Sequence, residues 1–205
     1  MRVALITQEF PPAIDGGAGT YAGELSAELV DLGVDLTVFT VAEACERSGP
    51  MRVVPVSPRS AGALGFWLRL PLALRSESAR SGPFELLHSN GVAATWLGLG
   101  GPSVPLVATI HHVTRQLIGR GLVGFATRLR DLRGESGIVP YLERRIVKGA
   151  DRLIAVSSLT ARDLYRYYRI AMERVCVVPL GVRLPARMDP SAVSELRSQV
   201  CAEGQ

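Results

Sequence analysis

Cysteine and lysine are both scarce in this chain of 205 residues. Its three cysteines, Cys45, Cys176 and Cys201, lie far apart and have no neighbouring histidine or cysteine at metal-ligand spacing. Neither a disulfide framework nor a metal site is therefore expected. The formal charge of +4 is carried almost wholly by arginine, with Lys148 as the one lysine. Because recognised binding motifs and interleaved aromatic residues are lacking, we expect no nucleic-acid partner.

Long apolar runs are missing as well. No run reaches the roughly 18–20 residues needed to cross a bilayer, and Met1 is not followed by a signal-peptide pattern. Apolar residues make up 47% of the chain and charged residues 20%, which is typical of a globular protein with one core. We expect a cytoplasmic protein with one domain over 1–185 and a helical tail or linker over 186–205.

Short apolar segments recur at regular intervals and predict strands. They are continuous and rich in Val, Ile and Leu, a pattern typical of parallel strands that are buried on both faces. The seven segments are Arg2–Thr7, Asp35–Val41, Arg52–Val56, Glu85–Ser89, Leu106–Ile110, Arg152–Val156 and Arg174–Val178. Because helix-length segments separate most of them, the predicted fold is α/β: a Rossmann-like, doubly wound, mostly parallel sheet of about seven strands with helices on both faces.

Two helices have clear signals at both ends. Residues 20–32 place Tyr21, Leu25, Leu29 and Leu32 on one face, with a glycine as the stop. The segment "SSLTARDLYRYY" predicts a helix capped by Ser157 or Ser158, and its inner face is expected to carry Leu159, Leu164 and Tyr168.

Other helices are less sharply bounded. A helix over 64–79 is predicted to end or kink at Pro71, because proline lacks the backbone N–H. Residues 114–149 contain no strand signal and predict helices joined by a long loop. The residues 189–200 predict one more amphipathic helix.

A glycine-rich segment follows the first predicted strand and allows three interpretations. Residues 17–22, "GAGTYA", fit the G-x-G-x-x-A form of the dinucleotide fingerprint. However, nine residues, "QEFPPAIDG", separate them from the strand, and the second strand does not end in the expected acidic residue. Alternatively, Gly16 and Gly17 let the N-terminal N–H groups of a helix approach a phosphate. The third interpretation is a tight turn that requires glycine for its backbone conformation.

Five motifs in order resemble the retaining glycosyltransferases of family 4, which have the GT-B fold. The opening "MRVALITQEFPPAIDGGAGTYAGELSAELVDLGVDLTVFT" resembles the start of that family. It is followed by "FELLHSNG", "VATIHH", "ERRIVKGADRLIAVSSLTARDL" and "VVPLGV", which resemble the family's D-V-x-H-x-H, T-x-H-D, E-R-x-x-x-x-x-A-D-x-x-I-x-V-S and P-N-G-V-D segments. Together they cover nearly the whole chain.

The resemblance implies an enzyme of two Rossmann-like halves. In such enzymes the C-terminal half binds most of the donor, a nucleotide-diphospho-sugar, and the N-terminal half binds most of the acceptor. The last motif marks the crossing into the second half, and this chain ends about twenty residues beyond it. The resemblance therefore predicts an N-terminal, acceptor-binding half that is incomplete and inactive alone. The expected acceptor is a glycan or a lipid-linked molecule, and no cofactor is expected.

The resemblance also implies which residues belong to the site. His111, at the end of "VATIHH", matches a histidine near the donor sugar, and we expect it to position and polarise a hydroxyl without acting as a nucleophile. A histidine that only makes a hydrogen bond at a strand end is the alternative. We expect four residues on the acceptor side: His88, Asn90, His112 and Tyr21. A structural role is the alternative for His88 and Asn90. Two positions depart from the family, since His112 stands where the family has Asp and Asn90 stands where it has a second His. Gly16 and Gly17 are expected to bind donor phosphate.

The arginine-rich stretch over 115–148 suggests a surface role. Its basic residues alternate with Leu, Ile, Val and Phe, which suits contact with an anionic membrane at the inner face of the plasma membrane. A solvated helix face is the alternative interpretation. Two other functions stay open for the whole chain: a non-catalytic module that binds a sugar, lipid or protein, and a dinucleotide-dependent oxidoreductase.

Overall fold

An eight-stranded sheet forms the centre of the fold. The computed structural model describes residues 1–13, 16–42, 46–48, 51–95, 104–119 and 135–181. The strands are β1 (Arg2–Ile6), β2 (Asp35–Val41), β3 (Glu46–Ser48), β4 (Met51–Ser57), β5 (Leu86–Asn90), β6 (Leu106–Ile110), β7 (Arg152–Ala155) and β8 (Val175–Val177). Their order across the sheet is β3-β4-β2-β1-β5-β6-β7-β8. The predicted tail and the boundary at residue 185 lie outside the described residues.

All seven predicted strands are present and pair in parallel, so the predicted fold class is confirmed. One further strand, β3, was not predicted from the sequence; it pairs antiparallel with β4 at the edge of the sheet. Its three residues, "ERS", carry no apolar pattern, so the signal that predicts a strand is missing there.

Helices flank the sheet in the order that a doubly wound fold requires. They are α1 (Gly17–Asp31), α2 (Gly62–Ser81), α3 (Thr114–Gly119), α4 (Glu135–Gly149) and α5 (Ser158–Tyr168), with short 3-10 turns at Arg59–Ala61 and Met172–Arg174. Within the described ranges, no helix combines the length and the apolar character needed to cross a membrane.

Successive residues of β1 belong to two separate cores. Val3 and Leu5 pack with Ala22 of α1, while Ala4 and Ile6 face the larger core on the other side. This alternation follows from the pleat of a strand, which points neighbouring side chains to opposite faces. β1 is therefore buried on both sides, as its continuous apolar sequence predicts.

Three details of the helix predictions are wrong. Leu32 is the C-cap of α1 and is 80% exposed, because the helix ends at Asp31 before Leu32 can turn inward. Leu159 lies in the first turn of α5 and faces away from the core, whereas Leu164 and Tyr168 are buried as expected. Pro71 does not end α2, which continues to Ser81, and Leu70 and Leu74 on either side of it are buried in the core.

The point where the connections reverse direction lies beside β1. The chain moves outward from β1 through β2 to β4, then crosses back to build β5 and β6 on the other side. In open α/β sheets, ligands bind at the carboxyl ends of the strands next to such a reversal. The carboxyl ends of β1, β5 and β6 are therefore where a site is expected.

Candidate functional site

A cavity of about 180 Å³ lies at this edge of the sheet. Its lining comes from the ends of β1, β5 and β6, from the first turn of α1, and from α4. The lining residues are Thr7, Gln8, Glu9, Ala18, Asn90, Gly91, Val92, Ile110, His111, His112, Thr114 and Glu143. None of these is an arginine or a lysine, so the part of the lining that the structure describes carries no permanent positive charge.

Asn90 links three elements at the centre of the cavity wall. Its Nδ2 donates to the Ala18 carbonyl at 2.9 Å and to Thr7 Oγ1 at 3.1 Å, which joins β5 to α1 and to the end of β1. Its Oδ1 lies 2.6 Å from Nε2 of His111, directly after β6. Asn90 is buried, so these bonds hold its amide in one orientation.

These contacts also determine where the His111 ring carries its proton. A backbone carbonyl such as that of Ala18 can only accept, so the nitrogen of the Asn90 amide faces it and the oxygen faces His111. Since Asn90 Oδ1 can only accept, His111 Nε2 must donate. Burial, and then the charge of His112, hold the pKa of His111 below its usual value, which favours the neutral ring. In that ring Nδ1 is unprotonated and is a hydrogen-bond acceptor.

A second network lies behind His111. His88 Nε2 is 2.8 Å from Thr109 Oγ1, and the Tyr21 hydroxyl is 3.1 Å from the same oxygen. The Tyr21 ring meets His111 edge to face at 5.0 Å between centroids. His88 is buried, and burial, together with the charge of His111, lowers its pKa to about 4. Neither His88 nor Tyr21 is among the residues that line the cavity. Two roles were predicted for His88, acceptor binding and a structural one, and its burial favours the structural role.

Glu143 of α4 holds the segment that follows His112. Its carboxylate accepts hydrogen bonds from the Thr114 backbone N–H, at 3.0 Å to each oxygen, and from the Thr114 and Tyr168 hydroxyls. Burial raises the pKa of Glu143, and the hydrogen bonds from Tyr168 and Thr114 act against that rise. The carboxylate thus fixes the turn between β6 and α3 on which both histidines lie.

The segment after β1 is held at three points. Thr7 Oγ1 donates to the Glu9 carbonyl at 2.8 Å, and the Phe10 side chain is buried in the smaller core. Pro11 packs on Gly23 of α1 so closely that a Cβ there would lie 2.8 Å from Pro11 Cγ. A larger residue at position 23 would therefore displace the loop.

Gly16 and Gly17 lie at the N-terminus of a helix as predicted, although α1 begins at Gly17, three residues before the predicted start at Thr20. Gly16 is the N-cap, in an extended conformation and without a side-chain cap. A Cβ on Gly17 would meet nothing within 4 Å, whereas one on Gly16 would lie 3.7 Å from Glu9 Oε2. The N-terminus of α1 is therefore open at Gly17 and borders a carboxylate at Gly16.

The structure brings together only part of the predicted site. Asn90, His111 and His112 line one cavity beside the start of α1. Three residues of the lining, Gln8, Glu9 and Glu143, were not predicted as site residues, although the first two directly follow a predicted strand at the edge where ligands bind. Their position after the strand was a sufficient signal to predict them. Glu143 is the first residue of the motif "ERRIVKGADRLIAVSSLTARDL", and only its contacts in the folded chain show that it lines the cavity.

A family model described as Glycosyltransferase Family 4 matches residues 15–184. Curated relatives include a D-inositol 3-phosphate glycosyltransferase of Salinispora tropica, 30% identical over 204 residues, which cover 91% of this chain and 41% of the relative. Another is the alpha-maltose-1-phosphate synthase of Mycolicibacterium smegmatis, 32% identical over 186 residues, which cover 89% of this chain and 45% of the relative.

Solved structures share the fold. Sucrose-phosphate synthase from Thermosynechococcus elongatus superposes with a TM-score of 0.72 at 19% identity, covering 98% of this chain and 52% of that protein. HepE of Anabaena, solved in complex with UDP, gives a TM-score of 0.56 at 19% identity, covering 98% of this chain and 50% of that protein. The chain thus spans about half the length of the relatives and structures that it matches.

Proposed function

The chain belongs to Glycosyltransferase Family 4, and from this membership we propose that it is the N-terminal, acceptor-binding half of a retaining glycosyltransferase. The whole protein would transfer a sugar from a nucleotide-diphospho-sugar to a glycan or lipid-linked acceptor, with no further cofactor. The observation that carries the proposal is the cavity at the carboxyl ends of β1, β5 and β6, where His111 and Asn90 meet the first turn of α1.

His111 is the proposed catalytic residue. Asn90 and the Tyr21 ring hold its imidazole in place, which suits a group that orients and polarises a sugar hydroxyl during transfer. His112 lines the same cavity and is proposed to contact the acceptor. The open N-terminus of α1 at Gly17 is the proposed approach for a donor phosphate, because backbone N–H groups and the helix dipole favour an anion there.

A transfer assay on the product of the complete coding sequence tests this function. UDP-, GDP- and ADP-sugars are offered with an acceptor panel that includes inositol 3-phosphate, since a relative is named for that compound. We expect transfer with retained anomeric configuration, determined by NMR of the product. His111→Ala should lower kcat at least about 100-fold, whereas Cys176→Ser, at an exposed position, should leave kcat unchanged.

Several results would count against the proposal. They are an inverted anomer, full activity in His111→Ala, or no transfer from any nucleotide sugar. Turnover by residues 1–205 alone at the rate of the whole protein would contradict the proposal that this is a half enzyme. Binding of a sugar or lipid by a whole protein without turnover would support the non-catalytic module instead. The family match favours glycosyl transfer over the dinucleotide-dependent oxidoreductase.

We also propose that the chain acts in the cytoplasm and touches the inner face of the plasma membrane. On the described part of the 115–148 stretch, Tyr141, Arg144 and Lys148 of α4 are exposed together. Aromatic and basic side chains in such a mixture suit the boundary between water and anionic headgroups. Cosedimentation with phosphatidylglycerol vesicles, but not with phosphatidylcholine vesicles, is expected, and equal recovery with both would contradict the proposal.

A further inference from the structure

Two neighbouring side chains of the cavity wall have no assigned role. We propose that Gln8 and Glu9 form a hydroxyl-binding pair, in which Gln8 Nε2 donates to one hydroxyl of a polyol and Glu9 Oε2 accepts from another. The identification of that polyol with the glycosyl acceptor rests on the proposed function, whereas the binding itself does not.

The first support is that both atoms lack a partner. Gln8 Nε2 and Glu9 Oε2 are buried and make no hydrogen bond within the part of the chain that the structure describes. Buried polar groups are almost always paired, because an unpaired one loses its hydrogen bonds to water and gains none from the protein. Both residues line the cavity, so a ligand within it can provide the missing partners.

The second support is that the pair is held in place before any ligand arrives. The bond from Thr7 Oγ1 to the Glu9 carbonyl, the buried Phe10 ring and the contact of Pro11 with Gly23 fix the backbone on both sides of the pair. Because this backbone is already ordered, binding at the pair costs little backbone conformational entropy.

The third support is the chemistry of the cavity, which fits hydroxyl groups better than an anion. Glu9 offers an acceptor with negative charge, and neutral His111 offers a second acceptor at Nδ1, while Gln8 offers a donor. A hydroxyl can both donate and accept, so adjacent hydroxyls of a sugar ring or cyclitol match this set. Next to Glu9, an ionised phosphate, which only accepts hydrogen bonds, is repelled and finds no arginine or lysine in the described lining. The phosphate proposed at α1 is therefore expected at the open Gly17 position and not against this pair.

The test measures binding of uncharged polyols to the 205-residue chain. Amide chemical-shift titrations follow myo-inositol and methyl α-D-glucopyranoside, with inorganic pyrophosphate as the anionic probe. Glu9→Gln keeps the shape of the side chain but removes the carboxylate, and Gln8→Leu removes the donor. Glu173→Gln makes the same charge change at an exposed residue outside the cavity and is the matched control.

We expect at least one polyol to shift the amides around the cavity. Glu9→Gln and Gln8→Leu should each raise its Kd on the order of tenfold, while Glu173→Gln leaves it unchanged. Pyrophosphate binding should be unaffected or tightened by Glu9→Gln, because a repelling charge is removed. Thermal unfolding of each variant establishes that it is folded.

The proposal is overturned if neither polyol shifts the cavity amides of the wild-type chain up to its solubility limit. It is also overturned if a folded Glu9→Gln binds the polyol within twofold of wild type, or if this variant loses pyrophosphate binding. Transfer by the whole protein that survives Glu9→Gln unchanged would show that the polyol bound by this pair is not the glycosyl acceptor, and would not contradict the proposed enzyme. Polyol binding that depends on Glu9 in a protein without transfer would reject only the proposed enzyme.

Discussion

A single asparagine controls the chemistry that His111 can perform. Where the resembled family has a second histidine, this chain has Asn90, whose amide is oriented by the Ala18 carbonyl and whose Oδ1 accepts a hydrogen bond from His111 Nε2. A histidine at position 90 could not reproduce this arrangement, because a neutral imidazole cannot donate twice and accept once. The substitution therefore gives His111 a defined donor side and a defined acceptor side.

This assignment predicts a spectroscopic result for the ring of His111. With three histidines in the chain, ¹⁵N-labelled imidazole spectra are simple enough to assign by single substitutions. Above the pKa of His111, we expect Nε2 to carry the proton and Nδ1 to be unprotonated. Asn90→Leu should populate both tautomers, because the acceptor that selects one of them is gone.

Thr109→Val is the control for this experiment. It removes the hydroxyl that contacts His88 and Tyr21, but it leaves the bond between Asn90 and His111 intact. The tautomer of His111 should therefore be unchanged in this variant. A protonated Nδ1 in the wild-type chain would show that the orientation assigned to the Asn90 amide is wrong.

Among the elements, α2 contacts the sheet through ion pairs as well as through apolar packing. Glu77 on α2 is 1% exposed and pairs with Arg80 on its own helix, with Arg52 on β4 at 3.3 Å and with Arg2 on β1 at 3.7 Å. Burial by itself would raise the pKa of Glu77, but hydrogen bonds from Arg80 and Ser81 and the charges of Arg52 and Arg80 hold the pKa below its usual value.

Glu77→Gln is predicted to lower the free energy of unfolding by about 2–3 kcal/mol at pH 7. The amide keeps the volume of the carboxylate but removes the negative charge that Arg52 and Arg2 face, and Arg2 keeps only its ion pair with Asp35 at 3.6 Å. The difference from wild type should shrink in acid, because a carboxyl with a lowered folded pKa contributes stability that is lost as the pH falls through that pKa. Urea unfolding at several pH values measures this, with Glu173→Gln as the control. A constant difference between wild type and variant from pH 7 to pH 3 would contradict the assignment.

Over the whole molecule, the buried His88 makes stability depend on pH above the range in which carboxylates titrate. It lies in the centre of the sheet, and its pKa of about 4 is well below the usual 6.5. Between these two values the unfolded chain binds a proton that the folded chain excludes, so stability is lost as the pH falls from about 6.5 to about 4.

The expected loss from His88 between pH 7 and pH 5 is about 2 kcal/mol, by linkage between the two pKa values. Chemical unfolding of wild type and of His88→Gln at both pH values tests this. The glutamine keeps a polar group for Thr109 and cannot be protonated, so the variant should lose less stability over this range. Equal losses in both proteins would show that another group is responsible.

Local sequence patterns are sufficient to predict the α/β architecture of alternating strands and helices. The seven parallel strands, the helices between them and the resemblance to family 4 all follow from local patterns of apolar residues and from short motifs, which need no knowledge of distant contacts. The same local patterns placed His111, Asn90 and the start of α1 at the carboxyl edge, because parallel strands all end on one side of the sheet.

Long-range contacts in the folded chain determine which side chains share one cavity and which of their atoms donate or accept hydrogen bonds. The bond from Asn90 to Ala18 joins residues 72 positions apart, and the bonds of Glu143 to Thr114 and Tyr168 span 29 and 25 positions. No local pattern encodes such pairs. The unpaired atoms of Gln8 and Glu9 are likewise visible only when every neighbour is in place, because the absence of a hydrogen-bond partner is a property of the packed molecule.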